Sequence, residues 1–247
     1  MMQTLLSERF APITSSIGFL RLDLDEAVGA LTGWRRSLDR GRVSSNKVET
    51  GFPDCLHSLE PLTAGARPRE LLVEASDGWT AYFDCSLRGT DAVSAIGYLA
   101  RKAACQGLAI ETVPHTAGTA GVENGRYGSV QFQMFGPLKT HFINYVRTIA
   151  VAFDGGRWVF SASGTEQWFE ETEAYRSRRV RDRFTSEMMG RYCKALDLDV
   201  YDPGAYGPRS ALVESEVKMP SGAPILSMTE VQRWLEIVPG MADGLPG

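Results

Sequence analysis

The chain has 247 residues, 43% of them apolar and 23% charged, and 26 basic against 30 acidic residues give a formal net charge of −4. A chain of this length and composition can bury a core without a metal or a disulfide. Its mild acidity disfavours nonspecific attraction to nucleic acid or to an anionic membrane.

The cysteines, Cys55, Cys85, Cys105 and Cys193, stand at least 20 residues apart. They form no CxxC pair and no Cys/His spacing that would hold zinc, so free, buried thiols in a reducing compartment are expected. The N-terminus lacks a basic start followed by a long apolar stretch, and no apolar run approaches the roughly 20 residues that span a bilayer. A soluble, cytoplasmic protein follows as the expectation.

In chain order, Ile17–Leu22 reads as a strand. Asp23 then opens a helix, with Glu26 in capping-box position and an apolar stripe of Leu24, Val28, Leu31 and Trp34. A short helix is expected around Pro53–Leu62, and Thr63–Pro68 reads as a surface connection. Glu70–Ala75 and Trp79–Cys85 form a hairpin around Ser76-Asp77-Gly78, because Asp-Gly tolerates the positive φ of a tight turn. Thr90 is expected to cap a helix over Asp91–Ala104, which Gly107 stops in the left-handed conformation. Leu108–Val113 is a strand, and Pro114–Arg126 is a Gly-rich loop.

Tyr127–Phe135 alternates as a half-buried strand does. His141–Phe153 carries apolar residues on both faces, which predicts a central strand covered on both sides. On strict alternation Arg147 shares a face with Tyr145 and His141, opposite Asn144 and Val146. Asp154-Gly155-Gly156 turns the chain into a strand over Arg157–Ser163. Gln167–Phe184 is expected to be one helix, with a second carrying Met188, Met189, Tyr192, Cys193 and Leu196. Asp197–Pro208 reads as a loop, Ala211–Lys218 as extended, and Ser227 with Glu230 starts a last helix bearing Val231, Trp234, Leu235 and Val238. The fold class expected is α+β, a mostly antiparallel sheet with helices packed on it. It reads as a single domain over 1–247: an N-terminal strand-helix segment (1–62) on a core (70–197), with a C-terminal extension (198–247).

The phosphate-binding, dinucleotide-binding, nucleophile-elbow and zinc-protease motifs are absent, and no cofactor is implied. Asp197, Asp199 and Asp202 fail as a calcium loop, because its sixth and twelfth positions hold Asp202 and Pro208. Arg176, Arg178, Arg179, Arg181 and Arg183 form a run that could meet phosphates. Across residues 157–197, however, eight basic residues face seven acidic ones. Acids Glu170, Glu171 and Glu173 at the start of one helix, and arginines at its end, would also suit its dipole. Nucleic acid is therefore not expected as a partner, nor is a membrane.

The candidate site residues are His115, at the mouth of the Gly-rich loop, and His141, Tyr145 and Arg147. Arg147 interrupts an apolar strand, and a buried charge must find a partner. The favoured expectation is a non-catalytic, cytosolic protein-binding or regulatory module of antitoxin or immunity type, whose partner is another protein. The alternative is a small-molecule enzyme, a hydrolase or transferase, with its site at the strand ends near His115, His141 and Arg147 and with Asp84 as acid or base.

Overall fold

The computed structural model describes residues 2–38, 41–119, 121–137 and 144–240. Its strands are β1 (Ser16–Leu20), β2 (Val43–Val48), β3 (Leu62–Thr63), β4 (Arg69–Ala75), β5 (Thr80–Asp84), β6 (Gly107–Val113), β7 (Ser129–Phe135), β8 (Tyr145–Phe153), β9 (Trp158–Gly164), β10 (Tyr206–Ser215) and β11 (Ile225–Leu226). The helices are α1 (Leu24–Ser37), α2 (Ala92–Ala103), α3 (Ser186–Lys194) and α4 (Met228–Trp234). Nine strands form one antiparallel sheet in the order β2-β10-β4-β5-β1-β6-β7-β8-β9, and β3 pairs with β11 beside it. The expected antiparallel sheet with attached helices is present, with the sheet dominating. Strands from both sides of residues 70–197 lie inside the sheet: β1 pairs with β5 and β6, and β10 lies between β2 and β4.

Alternation divides the core in two. Leu20, Leu72, Tyr82, Phe135 and Val213 face α1 and α2. Phe19, Leu71, Phe83, Phe132 and Val151 face the other way, toward α3, α4 and the N-terminal turns. Burial of each large side chain contributes about 1.5–3 kcal/mol, and both faces of the sheet centre are covered. α1 and α2 pack from β2 to β7, and β8 joins their cluster through Tyr145.

Several local expectations hold. Asp23 accepts the Glu26 N–H at 2.8 Å, and Ser227 with Glu230 completes a full capping box. Asp77 and Gly78 take positive φ between β4 and β5.

Others are overturned. The helix before β6 ends on Ala104, at φ 52°, because Gly107 is already paired with Leu20 and Phe135. Asp91 is its N-cap, while the Thr90 hydroxyl donates to the Ile13 carbonyl. β2 was missed because it is an edge strand with only Val43 fully buried. The extended segment near the C-terminus starts earlier than expected, at Tyr206, and ends at Ser215.

Gln167–Phe184 is not one helix. It holds two 3-10 turns, Thr172–Arg176 and Val180–Arg183. The segment has charge on every side of a helical projection and no apolar stripe to bury. Phe169, Tyr175 and Phe184 instead reach the sheet separately. The dipole reading of its acids and arginines falls with the helix.

β8 is not central; it is next to last in the sheet. The first part of the expected strand, including His141, lies outside the described residues. Between the pairs Met134–Arg147 and Phe135–Tyr145 one extra residue, Val146, bulges from β8. The bulge sends Tyr145 to the α2 side, against Phe135, and leaves Arg147 with Ile149 and Val151 on the other. Tyr145 and Arg147 therefore do not share a face: one inserted residue inverts the alternation. Gly164 accommodates it, with φ +89° and no room for a side chain, since a Cβ would lie 2.3 Å from the Val146 carbonyl oxygen.

Candidate functional site

Three strands place one apolar wall. Val130 on β7 stands opposite Val151 on β8, and Phe153 stands opposite Trp158 on β9, all facing away from α1 and α2. Pro114 ends β6 and sets His115 beside this wall. The imidazole lies 4.6 Å from the Phe153 ring and 5.3 Å from Trp158. Gly128 packs so closely that a Cβ there would fall 2.6 Å from the His115 Cβ. Its backbone N–H donates to His115 Nδ1 at 3.1 Å.

That bond fixes the tautomer. With Nδ1 accepting, a neutral ring carries its proton on Nε2 and offers one donor. Burial, followed by the Arg181 charge, lowers the His115 pKa below its ordinary 6.5, so the ring is neutral at pH 7.

His115, Val130, Val151, Trp158 and Phe184 line a cavity of about 540 Å³. Its polar side comes from Arg181, Asp182 and the first turn of α3. The Arg181 guanidinium lies 5.5 Å from the Trp158 ring, and Thr185 caps α3 by accepting the Met188 N–H. The volume is within the range of small-molecule sites, as is the balance of a largely apolar wall with few polar groups.

The structure does not gather the four sequence candidates. His115 is at the cavity. Arg147 shares its sheet face but lies four residues along β8 from Val151, about 13 Å at strand rise. It is 6% exposed and engaged by Glu170: Nε donates to Oε1 at 2.9 Å and Nη2 to Oε2 at 2.6 Å. Nη1 donates to the Gly164 carbonyl at 3.3 Å. Burial alone would lower the Arg147 pKa, but the Glu170 bond and charge outweigh it and raise it. Glu170 also accepts from the Tyr175 hydroxyl and the Gln167 N–H, so this cluster ties residues 167–175 to the sheet. Tyr145 is on the opposite face, where its hydroxyl donates to Gln133 at 3.3 Å. His141 lies outside the described residues.

Asp84 belongs to a separate buried network on the α1/α2 side. Arg35 pairs with Glu70 through two bonds, the Tyr82 hydroxyl donates to Glu70 at 2.6 Å, and Arg67 lies 3.8 Å from Asp84. Burial pushes the Asp84 carboxyl up to about 7, against lowering by Arg67 and the Ser86 and Asp91 N–H groups. Register pairs Glu70 directly with Asp84, so the network joins α1 to two neighbouring strands.

The arginine run is mostly occupied at its own ends. Arg176 pairs with Glu173, Arg179 with Asp182, and Arg183 donates to the Ser177 carbonyl. The sequence reading missed Trp158, Arg181 and Phe184 as neighbours of His115. The available signal was Trp158 alternating with Phe160 on a strand whose outer side is exposed. Among the described residues no helix is long and apolar enough to cross a membrane. No protein-family model, curated protein or solved structure matches this chain.

Proposed function

We propose that the protein binds a small molecule in the cavity at His115. The observation that carries this reading is the pairing of an apolar wall with a single neutral imidazole whose tautomer is set by Gly128. Such a site suits a flat, mainly apolar molecule with one hydrogen-bond acceptor, a carbonyl or an acidic oxygen, for His115 Nε2. Arg181 lies on the same lining, beside Asp182 and Glu187, and is the cation available to an acidic acceptor.

The probe is 8-anilinonaphthalene-1-sulfonate, an aromatic anion that Trp158 can excite by energy transfer. It should bind at one saturable site. Val151→Phe, which narrows the cavity at its apolar wall, should weaken binding by about tenfold or more, equivalent to about 1.4 kcal/mol. Val159→Ala, on the opposite face of β9, should leave binding unchanged. If Val151→Phe folds by circular dichroism and binds the probe as the parent does, the cavity is not the site.

A protein partner is the reading favoured from sequence; Trp168, 80% exposed, is one residue rather than a patch and does not select that reading.

A further inference from the structure

β9 closes one end of the nine-stranded sheet and, among the described residues, has no strand on its outer side. Bonds at its two ends show which residues turn outward. Asp154 N–H donates to the Arg157 carbonyl at 3.0 Å, and Thr165 N–H donates to the Val146 carbonyl at 2.8 Å. Antiparallel pairs alternate, so odd-numbered residues from 157 to 165 bond toward β8. Trp158, Phe160 and Ala162 therefore direct N–H and C=O outward, and among the described residues no hydrogen bond occupies those groups.

Edge strands are commonly blunted by charge, proline or covering segments. β9 reads Trp-Val-Phe-Ser-Ala-Ser-Gly, with neither charge nor proline; residues 180–183 cover its Trp158–Phe160 face, while Val159 and Ser161–Gly164 are exposed. The opposite edge, β2, carries Lys47, paired with Glu49. The bulky residues of β9 lie in its first half and the small ones in its second.

We propose that β9 pairs antiparallel with β9 of a second copy of this chain, on a twofold axis at Ser161. In that register Trp158 faces Gly164, Phe160 faces Ala162 and Val159 faces Ser163, each large residue against a small one. Ser161 faces itself as a pair without hydrogen bonds, and the outward groups of Phe160 and Ala162 bond each other across the axis. Arg157 of one copy falls opposite Thr165 and beside Glu166 of the other, which adds opposite charges at both ends. The strand is thus complementary to itself in size, charge and backbone parity, as an isologous interface requires. This pairing does not depend on the ligand reading of the His115 cavity.

Sedimentation velocity across a concentration series up to about 100 μM should show a species of twice the 27.1 kDa chain mass. Ser161→Lys sets two like charges face to face and should weaken dimerisation by at least about tenfold. Diamide oxidation reads the register. At a pair without hydrogen bonds the Cα atoms are about 4.5 Å apart, within disulfide reach, so Ser161→Cys should cross-link into a covalent dimer. Ser163→Cys, four residues out of register with its own copy, should not cross-link beyond the parent chain. A folded parent that stays monomeric throughout the series overturns the proposal. So does a dimer unaffected by Ser161→Lys, or equal cross-linking at the two positions.

Discussion

Arg147→Ala removes a guanidinium that holds a carboxylate away from water. The Glu170 side chain is 0% exposed, and its two oxygens take both bonds of the Arg147 fork. After truncation Glu170 keeps the Tyr175 hydroxyl and the Gln167 N–H but loses its countercharge. Breaking a buried pair from one side typically costs about 3–5 kcal/mol. At about 2–4 °C per kcal/mol for a chain of this size, the melting temperature should fall by roughly 6–20 °C. Arg178, exposed on the turn-rich segment, should cost less than about 1 kcal/mol as alanine. Urea melts of the two single variants make the comparison, and the double variant Arg147→Met with Glu170→Leu tests the cause. Removing both charges should recover part of the loss, though not all, because Tyr175 and Gln167 then lack their acceptor. An Arg147→Ala cost below about 1 kcal/mol, or a double variant no better than the single, would refute the buried-pair argument.

The state of His115 is open to proton NMR, since the chain has only three histidines and His115→Gln identifies the signal. Its titration midpoint should lie below 6.5, and a midpoint at or above that value would contradict the neutral ring at the cavity. The unfolded chain then takes up this proton first as pH falls. The His115 contribution to stability is complete above about 6.5 and is lost as pH drops through the folded midpoint. Duplex DNA should not bind with submicromolar, steeply salt-dependent affinity at physiological salt, because Arg176 and Arg179 are paired with acids of their own segment and the chain carries a net charge of −4.

Local chemistry was enough for the parts of this protein whose signals are short in range. Asp23 with Glu26, Ser227 with Glu230 and Asp77-Gly78 each mark an end or a turn that a few neighbouring residues determine. Alternation likewise placed β7 and the apolar side of β9, and it singled out His115 at the end of a strand and Arg147 as a charge needing a partner.

Tertiary structure decided the rest. Strand order is a matter of long-range pairing, so the pattern of β8 could not show that it lies beside an edge strand rather than at the centre. A bulge adds one residue without altering composition, and Val146 was enough to carry Tyr145 away from Arg147. Residues 167–184 contain ordinary helix formers, but Phe169, Tyr175 and Phe184 gain more by reaching the sheet than a helix with no apolar stripe could offer. The cavity at His115 arises only where three strands and the segment before α3 meet. Its lining runs from Met2 through His115 to Glu187, and no local pattern records such separations.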